Sequence, residues 1–151
     1  MKMKKSILIG FLALLINANV SLGQDIQSSQ VPSVVINNFH KAFPNASDVE
    51  WEQQGDLYKV EFETGLLSTD HDAWYDQAGK LTEHKEDLSK RDLPQKVLTK
   101  IRANFNSYRI DDVKKITKGN SIGYTLELKS FTEELKVAFD ANGNVLSQVL
   151  D

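Results

Sequence analysis

Several short groups of residues carry side chains that could do chemistry. The stretch TDHDAW places Asp70, His71 and Asp72 in a row, and their oxygen and nitrogen atoms are typical metal ligands. Glu61 and Glu63 would lie about 7 Å apart on one face of a strand. That separation is compatible with the two carboxylates of an inverting glycosidase. Which chemistry is possible depends on the elements that hold these residues.

The DANGN stretch that begins at Asp140 carries part of a calcium-ligand set. A calcium loop needs more oxygen ligands at fixed spacing and usually ends in a bidentate Glu. A similar stretch, DQAGK, begins at Asp76 and lacks the two Asn ligands. Asp at the start of a turn and Gly at its end are typical of a β-turn, and Asn-Gly is a strong hairpin signal. We therefore predict structural turns at Asp76–Gly79 and Asp140–Gly143.

The three histidines of the chain have no obvious partners in the sequence. On a strand, His71 points away from Asp70 and Asp72, so the three side chains do not converge on one ion. His40 is predicted on a helix and His84 on a later strand, and neither has a local ligand partner. We expect solvated or edge histidines, no metal site and no cofactor.

Enzyme motifs are missing from the sequence. It has no Gly-x-Ser-x-Gly elbow, no His-Glu-x-x-His and no phosphate loop. With no cysteine, the chain also has no disulfide, zinc thiolate or cysteine nucleophile. A Glu-x-Glu pair such as Glu61 and Glu63 on the wet face of a strand usually serves solvation. The sequence therefore predicts no catalytic residues and no enzyme.

The N-terminal 23 residues have the three parts of a secretory signal peptide. Three lysines precede an apolar run that is too short to span a membrane comfortably, and a small-residue cleavage site ends at Gly23. The alternative is an uncleaved membrane anchor. Cleavage takes the formal net charge from −3 to about −6, which leaves no electrostatic footprint for nucleic acid. We expect a periplasmic or secreted protein, without stable membrane insertion after cleavage.

The rest of the chain repeats itself. After a flexible N-terminus at 24–30, we predict one repeat at 31–88 and a second at 89–151. The matched positions keep a spacing of 62 to 66 residues: Pro32 with Pro94, Phe43 with Phe105, Val49 with Val113, Tyr58 with Tyr124, Asp76 with Asp140, and Gly79 with Gly143.

Each repeat predicts the same elements. Pro32 and Pro94 open amphipathic helices, where the missing N–H and the preset φ of proline are tolerated. Runs with period two follow, which is typical of antiparallel strands with one buried face. The predicted fold class is α+β, a tandem repeat of one helix packed on an antiparallel four-stranded sheet. We expect the two sheets to join, or to pack against each other, as one two-layer domain.

This pattern resembles the PepSY-like, or beta-lactamase-inhibitor-like, family of secreted and periplasmic proteins of Bacteroidetes. The resemblance is carried by YKVEF from Tyr58 with YDQAG from Tyr75, and by YTLEL from Tyr124 with FDANG from Phe139. It implies tandem helix-plus-sheet units and an envelope location, and it supplies no defined activity. Beta-lactamase inhibitory proteins grip their target with a concave sheet face, but they use disulfides, which this chain lacks.

The open face of the predicted sheet is the surface best suited to binding. In the first repeat it would carry Lys59, Glu61, Glu63, Asp72, Trp74, Thr82 and His84. Trp74 stands out because the repeat places Ala138 at the matching position, and an exposed Trp is a typical interaction anchor. We therefore predict a non-catalytic module that binds a protein or peptide of the cell envelope, and the resemblance implies an inhibitor-like role. The alternative is a structural or weakly cation-binding envelope protein that uses its acidic loops.

Overall fold

The computed structural model describes residues 23–151. The helices are α1 (Ser33–Ala42) and α2 (Gln95–Asn104), with 3-10 turns at Ser28–Gln30 and Lys90–Asp92. The strands are β1 (Gln24–Ile26), β2 (Ser47–Gln54), β3 (Leu57–Thr64), β4 (Thr69–Tyr75), β5 (Leu81–Asp87), β6 (Arg109–Lys118), β7 (Ser121–Lys129), β8 (Glu134–Asp140) and β9 (Val145–Leu150). The predicted signal peptide lies outside the described residues, apart from Gly23. Within the expected flexible segment 24–30, β1 pairs with β2.

The predicted fold class was wrong. The nine strands form one continuous antiparallel sheet in the order β1 to β9, so the protein is mostly β rather than two four-stranded sheets in tandem. The joint is the pairing of β5 with β6, from His84 with Thr117 to Asp87 with Lys114. Unsatisfied backbone groups at the edges of two separate sheets are satisfied when those edges pair. Period-two patterning defines which faces are buried but does not reveal which edges meet.

Both helices lie on the same side of the sheet, each over its own hydrophobic cluster. Val35 and Phe39 of α1 are completely buried against one half of the sheet, and Val97 and Ile101 of α2 are buried against the other. Full burial of each such side chain contributes roughly 1.5–3 kcal/mol. The helices therefore cover one face, and within residues 23–151 the opposite face of the sheet has no second layer.

The two Asp–Gly turns lie directly beneath the helices. Gly79 and Gly143 both have φ of +82°, a conformation that glycine adopts without a steric penalty. A Cβ at Gly143 would come within 2.5 Å of the Lys96 carbonyl oxygen, and a Cβ at Gly79 would come within 2.8 Å of Asn38 Nδ2. Glycine is therefore needed at these turns both for their φ and for the close approach of a helix.

Candidate functional site

The face of the sheet opposite the helices carries most of the predicted binding residues. Cross-strand pairing sets Lys59 beside Trp74, Glu61 beside Asp72 and Glu63 beside Asp70. Directly paired residues project to the same face. This surface, formed by the outward side chains of β2 to β9 on the side away from the helices, is called the open face below.

Trp74 lies on the open face in the first half of the chain, one residue before the end of β4. Its Nε1–H donates to Gln54 Oε1 at 2.9 Å. The ammonium groups of Lys85 and Lys59 lie 4.6 and 5.6 Å from the ring centroid, within the range of cation–π attraction. The ring is half-buried between these neighbours. The indole is thus held in one orientation while part of its surface stays accessible.

The charge on Lys59 is secured by two carboxylates. Its ammonium contacts Glu61 and lies 3.2 Å from Asp72 Oδ1. Burial lowers the pKa of Lys59, but the hydrogen bonds and attraction from Glu61 and Asp72 outweigh it, so the pKa lies above its ordinary value. The side chain therefore remains a cation beside Trp74.

An acidic groove of about 380 Å³ runs along the first half of the open face. Seven carboxylates and two lysines supply its charge: Asp48, Glu50, Glu61, Glu63, Asp70, Asp72, Asp87, Lys85 and Lys114. Asp48 stands at a β-bulge near the start of β2, with φ of +48°. The negative excess favours a positively charged counterpart.

A second groove of about 560 Å³ covers the other half of the open face. Ile116, Ala138 and Val149 form part of its apolar lining, and Lys85 and Lys114 line both grooves. The two lysines therefore stand where the grooves meet, at the joint between β5 and β6. The sequence left open whether the two sheets join or pack against each other, so it did not locate this continuity.

His84 is not on the open face, and its predicted position was wrong. The register of β4 and β5 shifts between Trp74 and Tyr75, so Trp74 pairs with Glu83 while His84 pairs with Ala73 on the helix side. One extra residue in a strand moves every later side chain to the opposite face. That residue is Thr82, whose Oγ1 donates to the Trp74 carbonyl at 3.0 Å. Glu83 and Lys85 take the open-face positions instead.

The expectation of solvated or edge histidines was wrong for His71 and His84. His71 is buried, and its Nδ1 lies 3.1 Å from His84 Nε2. His40 is exposed on α1. Asp70 and Asp72 project to the open face, away from His71, so the three side chains do not converge. The sequence signal for this contact was that two neighbouring predicted strands each carry one histidine. That signal does not specify the register that brings the two side chains together.

The Asp side chains of the two turns are engaged by their own backbone. Asp76 Oδ1 accepts from Ala78 N–H and Lys80 N–H at 3.0 and 2.9 Å. Asp140 Oδ1 accepts from Asn142 N–H and Asn144 N–H at 2.8 and 2.9 Å. These contacts explain the Asp at the start of each turn without any bound ion.

One further carboxylate cluster was not predicted. Glu127, Glu134 and Asp151 bring ligand atoms within 4.8 Å of one another. The Lys129 ammonium lies 3.0 Å from Glu127 and 3.3 Å from Glu134, and Lys136 pairs with Asp151 at 2.7 Å. The hydrogen bonds that the Lys129 ammonium donates to Glu127 and Asp111 raise the pKa of Lys129. Lys129 and Lys136 thus partly neutralise the negative charge of these three carboxylates.

Two exposed hairpin tips were also missed by the sequence analysis. The tip between β3 and β4 carries Leu66 and Leu67, and the tip between β7 and β8 carries Phe131, all essentially fully exposed. All neighbouring strands of the sheet are antiparallel, so β3 and β7 run in the same direction. The tips that follow these two strands therefore lie at the same end of the sheet. Large exposed apolar side chains at one end of a sheet are candidates for contact with a partner.

A protein-family model described as beta-lactamase-inhibitor-like and PepSY-like matches this chain. It matches residues 19–83 and 56–147, which together cover most of the chain. A search of curated proteins found no match. Among the described residues, neither helix has the length and apolar character needed to cross a membrane.

Solved structures share the fold at low sequence identity. A BLIP-like protein from Bacteroides fragilis is 21% identical with a TM-score of 0.67, covering 79% of this chain and 85% of its own. A protein from Bacteroides eggerthii, provisionally described as periplasmic, is 18% identical with a TM-score of 0.70, covering 80% and 88%. A protein of the DUF2874 family from Bacteroides uniformis is 16% identical with a TM-score of 0.69, covering 79% and 88%. The description of the B. eggerthii protein agrees with the location expected from the sequence.

Proposed function

Because the chain belongs to the PepSY-like, beta-lactamase-inhibitor-like family, we propose that it is a non-catalytic, inhibitor-like binding module of the periplasm or the secreted fraction. Its partner is a protein or peptide of the cell envelope, and the open face is the surface that binds it. The observation that carries this proposal is Trp74, held by Gln54 and two lysines on the sheet face that neither α1 nor α2 covers.

Trp74 supplies the apolar part of the proposed contact. Its orientation is set before binding, so little side-chain entropy is lost when a partner covers the ring. Aromatic anchors of this kind typically contribute about 2 kcal/mol or more to binding. The repeat supports a functional role, because Ala138 serves the fold at the matching position on β8.

The acidic groove supplies the charged part. Its carboxylates outnumber its lysines, so it favours a partner with a basic patch and speeds its approach. Much of that attraction acts across solvent and is screened by salt. Binding through this groove is therefore expected to weaken as the ionic strength rises.

Cation binding receives no support from the described residues at the predicted turns. Asp76 and Asp140 are occupied by backbone N–H groups of their own turns. A cation that binds the native state and is present at a concentration of 100 times its Kd would add about 2.7 kcal/mol to the free energy of unfolding. We expect millimolar calcium to leave the melting temperature unchanged.

The test of the proposal uses affinity capture followed by measured binding. Partners that bind the mature protein from an envelope extract are purified, and their affinity is then measured for Trp74→Ala and for Val34→Ala. Val34 is an exposed apolar residue on the helix side and serves as the matched control. We expect Trp74→Ala to weaken binding at least about tenfold, which corresponds to 1.4 kcal/mol, and Val34→Ala to leave it unchanged. Equal affinities for the two variants would refute a role for the open face.

A further inference from the structure

The buried His71 and the half-buried His84 form a hydrogen-bonded chain with Thr64 across three strands. Thr64 Oγ1 lies 2.7 Å from His71 Nε2, and His71 Nδ1 lies 3.1 Å from His84 Nε2. The two imidazole planes are within 9° of each other and their centroids are 5.3 Å apart. With the facing nitrogens only 3.1 Å apart, these values describe two nearly coplanar rings joined edge to edge. His71 is the buried polar side chain of the core in the part of the chain that the structure describes.

The geometry allows a single proton between the two rings. A neutral imidazole carries one N–H, so in either tautomer one ring donates to a bare nitrogen of the other. Protonating one ring preserves this N–H···N bond. Protonating both rings would set two N–H groups against each other at 3.1 Å, and the rings would have to separate. The pair therefore titrates as a unit in two coupled steps.

The surroundings favour the neutral pair. Phe62 stacks on His71 with a centroid distance of 4.9 Å, and Phe43 at the end of α1 lies 5.0 Å from His84. Burial lowers the pKa of His71 and of His84, and it outweighs the attraction of nearby acids. The loss of hydration on burial thus penalises an imidazolium in this pair.

The charged groups around the pair are few on the helix side. Glu86 of β5 is the cross-strand neighbour of His71, and it pairs with Lys115 of β6 at 2.8 Å. Asp70, Asp72 and Asp87 attract an imidazolium at longer range, while Lys115 repels it. From α1 the pair meets Phe43, and the titratable residues His40 and Lys41 of that helix are exposed.

The second half of the chain shows that the fold does not need this pair. Leu135 occupies the position that matches His71, because Leu135 pairs with Leu128 as His71 pairs with Phe62. Gln148 occupies the position that matches His84, because Gln148 pairs with Val137 as His84 pairs with Ala73. The same position in the second half is therefore filled by residues that do not titrate. A polar chain in only one of two similar cores makes the two halves respond differently to acid.

We propose that the His71–His84 pair is an acid-sensitive latch of the first half. At neutral pH the shared proton ties β4 to β5 beneath the end of α1. In acid, double protonation breaks the bond, separates the rings and releases Phe43 from the sheet. The second half keeps its packing, because it has no equivalent pair. This inference does not depend on the proposed binding function.

The sign of the pH effect follows from the lowered pKa values. As the pH falls below about 6.5, the unfolded chain takes up protons on these histidines before the native fold does. The native fold therefore loses stability as the pH falls, and the contribution of the neutral pair is complete above that pH. The loss is expected in α1 and β2 to β5 first.

The first test is a histidine titration of the wild-type mature protein by nitrogen-15 NMR. At pH 7.5 we expect a scalar coupling across the N–H···N bond of His71 and His84, and we expect it to vanish in acid. Amide exchange, corrected for its intrinsic pH dependence, is expected to show lost protection in the first half and retained protection in the second. A coupling that persists to the acid unfolding of the whole chain would overturn the latch, as would simultaneous loss of protection in both halves.

The second test transfers the residues of the second half into the first. We expect the melting temperature of the wild type to fall between pH 7.5 and pH 5. In the double variant His71→Leu with His84→Gln, we expect this fall to be absent. His40→Gln, an exposed histidine on α1, is the matched control and is expected to keep that fall. An unchanged pH dependence in the double variant refutes the proposal. If the double variant does not fold, the wild-type titration still decides.

Discussion

The Lys85 ammonium lies 4.6 Å from the centre of the Trp74 ring. Trp74 lies on β4 and Lys85 on β5, and the register shift at Thr82 brings the lysine to the open face. Lys85 also lines both grooves. The contact therefore connects Trp74, the proposed binding anchor, with the β5–β6 joint between the two halves of the sheet.

Replacing Lys85 by methionine tests this contact. Lys85→Met keeps the aliphatic stem and removes the ammonium, so the cation–π attraction of about 0.5–1 kcal/mol is lost. We expect the free energy of unfolding in urea to fall by about that amount. Lys80→Met removes a charge from an exposed turn and is the control. Equal effects of the two substitutions would contradict a specific Lys85–Trp74 contact.

The buried hydroxyl of Tyr75 predicts an unusual response to substitution. Tyr75 is almost completely buried, and its hydroxyl has no hydrogen-bond partner within residues 23–151. An unpaired buried polar group costs about 1–3 kcal/mol. Tyr75→Phe is therefore expected to leave the free energy of unfolding at pH 7 unchanged or to raise it. A clear loss of stability, beyond that of Tyr58→Phe, would mean that the hydroxyl has a partner.

Tyr75 also predicts a loss of stability in alkali. Burial raises its pKa to about 12, so above pH 10 the unfolded chain loses its proton before the native fold does. The contribution of Tyr75 is complete below pH 10 and is lost as the pH rises toward 12. Tyr75→Phe should flatten this part of the stability profile, measured by urea unfolding at pH 8 to 11. An identical slope in the variant would refute the assignment to Tyr75.

Two glycines with positive φ allow the effect of backbone conformation on stability to be distinguished from the effect of close packing. Gly143 has φ of +82° and Gly119 has φ of +58°, so alanine at either position costs roughly 1–2 kcal/mol from the left-handed conformation. Only at Gly143 would the new Cβ meet backbone, 2.5 Å from the Lys96 carbonyl oxygen, while Gly119 faces open space. We expect Gly143→Ala to lower the melting temperature more than Gly119→Ala. Equal losses would show that α2 can move away from the turn.

Phe39 is expected to be essential for the first half. It is completely buried and packs edge-on against Trp51, Phe62 and Tyr75. Phe39→Ala should cost about 3–5 kcal/mol, a large part of the stability of a typical domain. Phe131→Ala removes the same side chain from an exposed hairpin tip, and its effect should stay within about 0.5 kcal/mol. Calorimetry of both variants tests the difference.

Local rules in the sequence were sufficient to predict both helices and the strands from β2 onward, but not β1. Proline sets the start of both helices, at Pro32 and Pro94, and alternation on β3 correctly separates Val60 and Phe62 from Lys59 and Glu61. These features depend on neighbouring residues along the chain, so they can be read from a single sequence. For the same reason, the sequence led directly to Trp74 as a residue on the open face.

The arrangement of those elements was decided by tertiary contacts. The pairing of β5 with β6 turns two predicted sheets into one, and no local pattern encodes which strand edges meet. The bulge at Thr82 moves His84 to the helix side, and a residue count along a strand does not reveal it. The His71–His84 contact joins residues 13 positions apart through strand register. The sequence alone determined the repeats, the helices and the faces of the regular strands. Only the tertiary structure decided the continuous sheet and the histidine pair, because both depend on register between strands rather than on residue order.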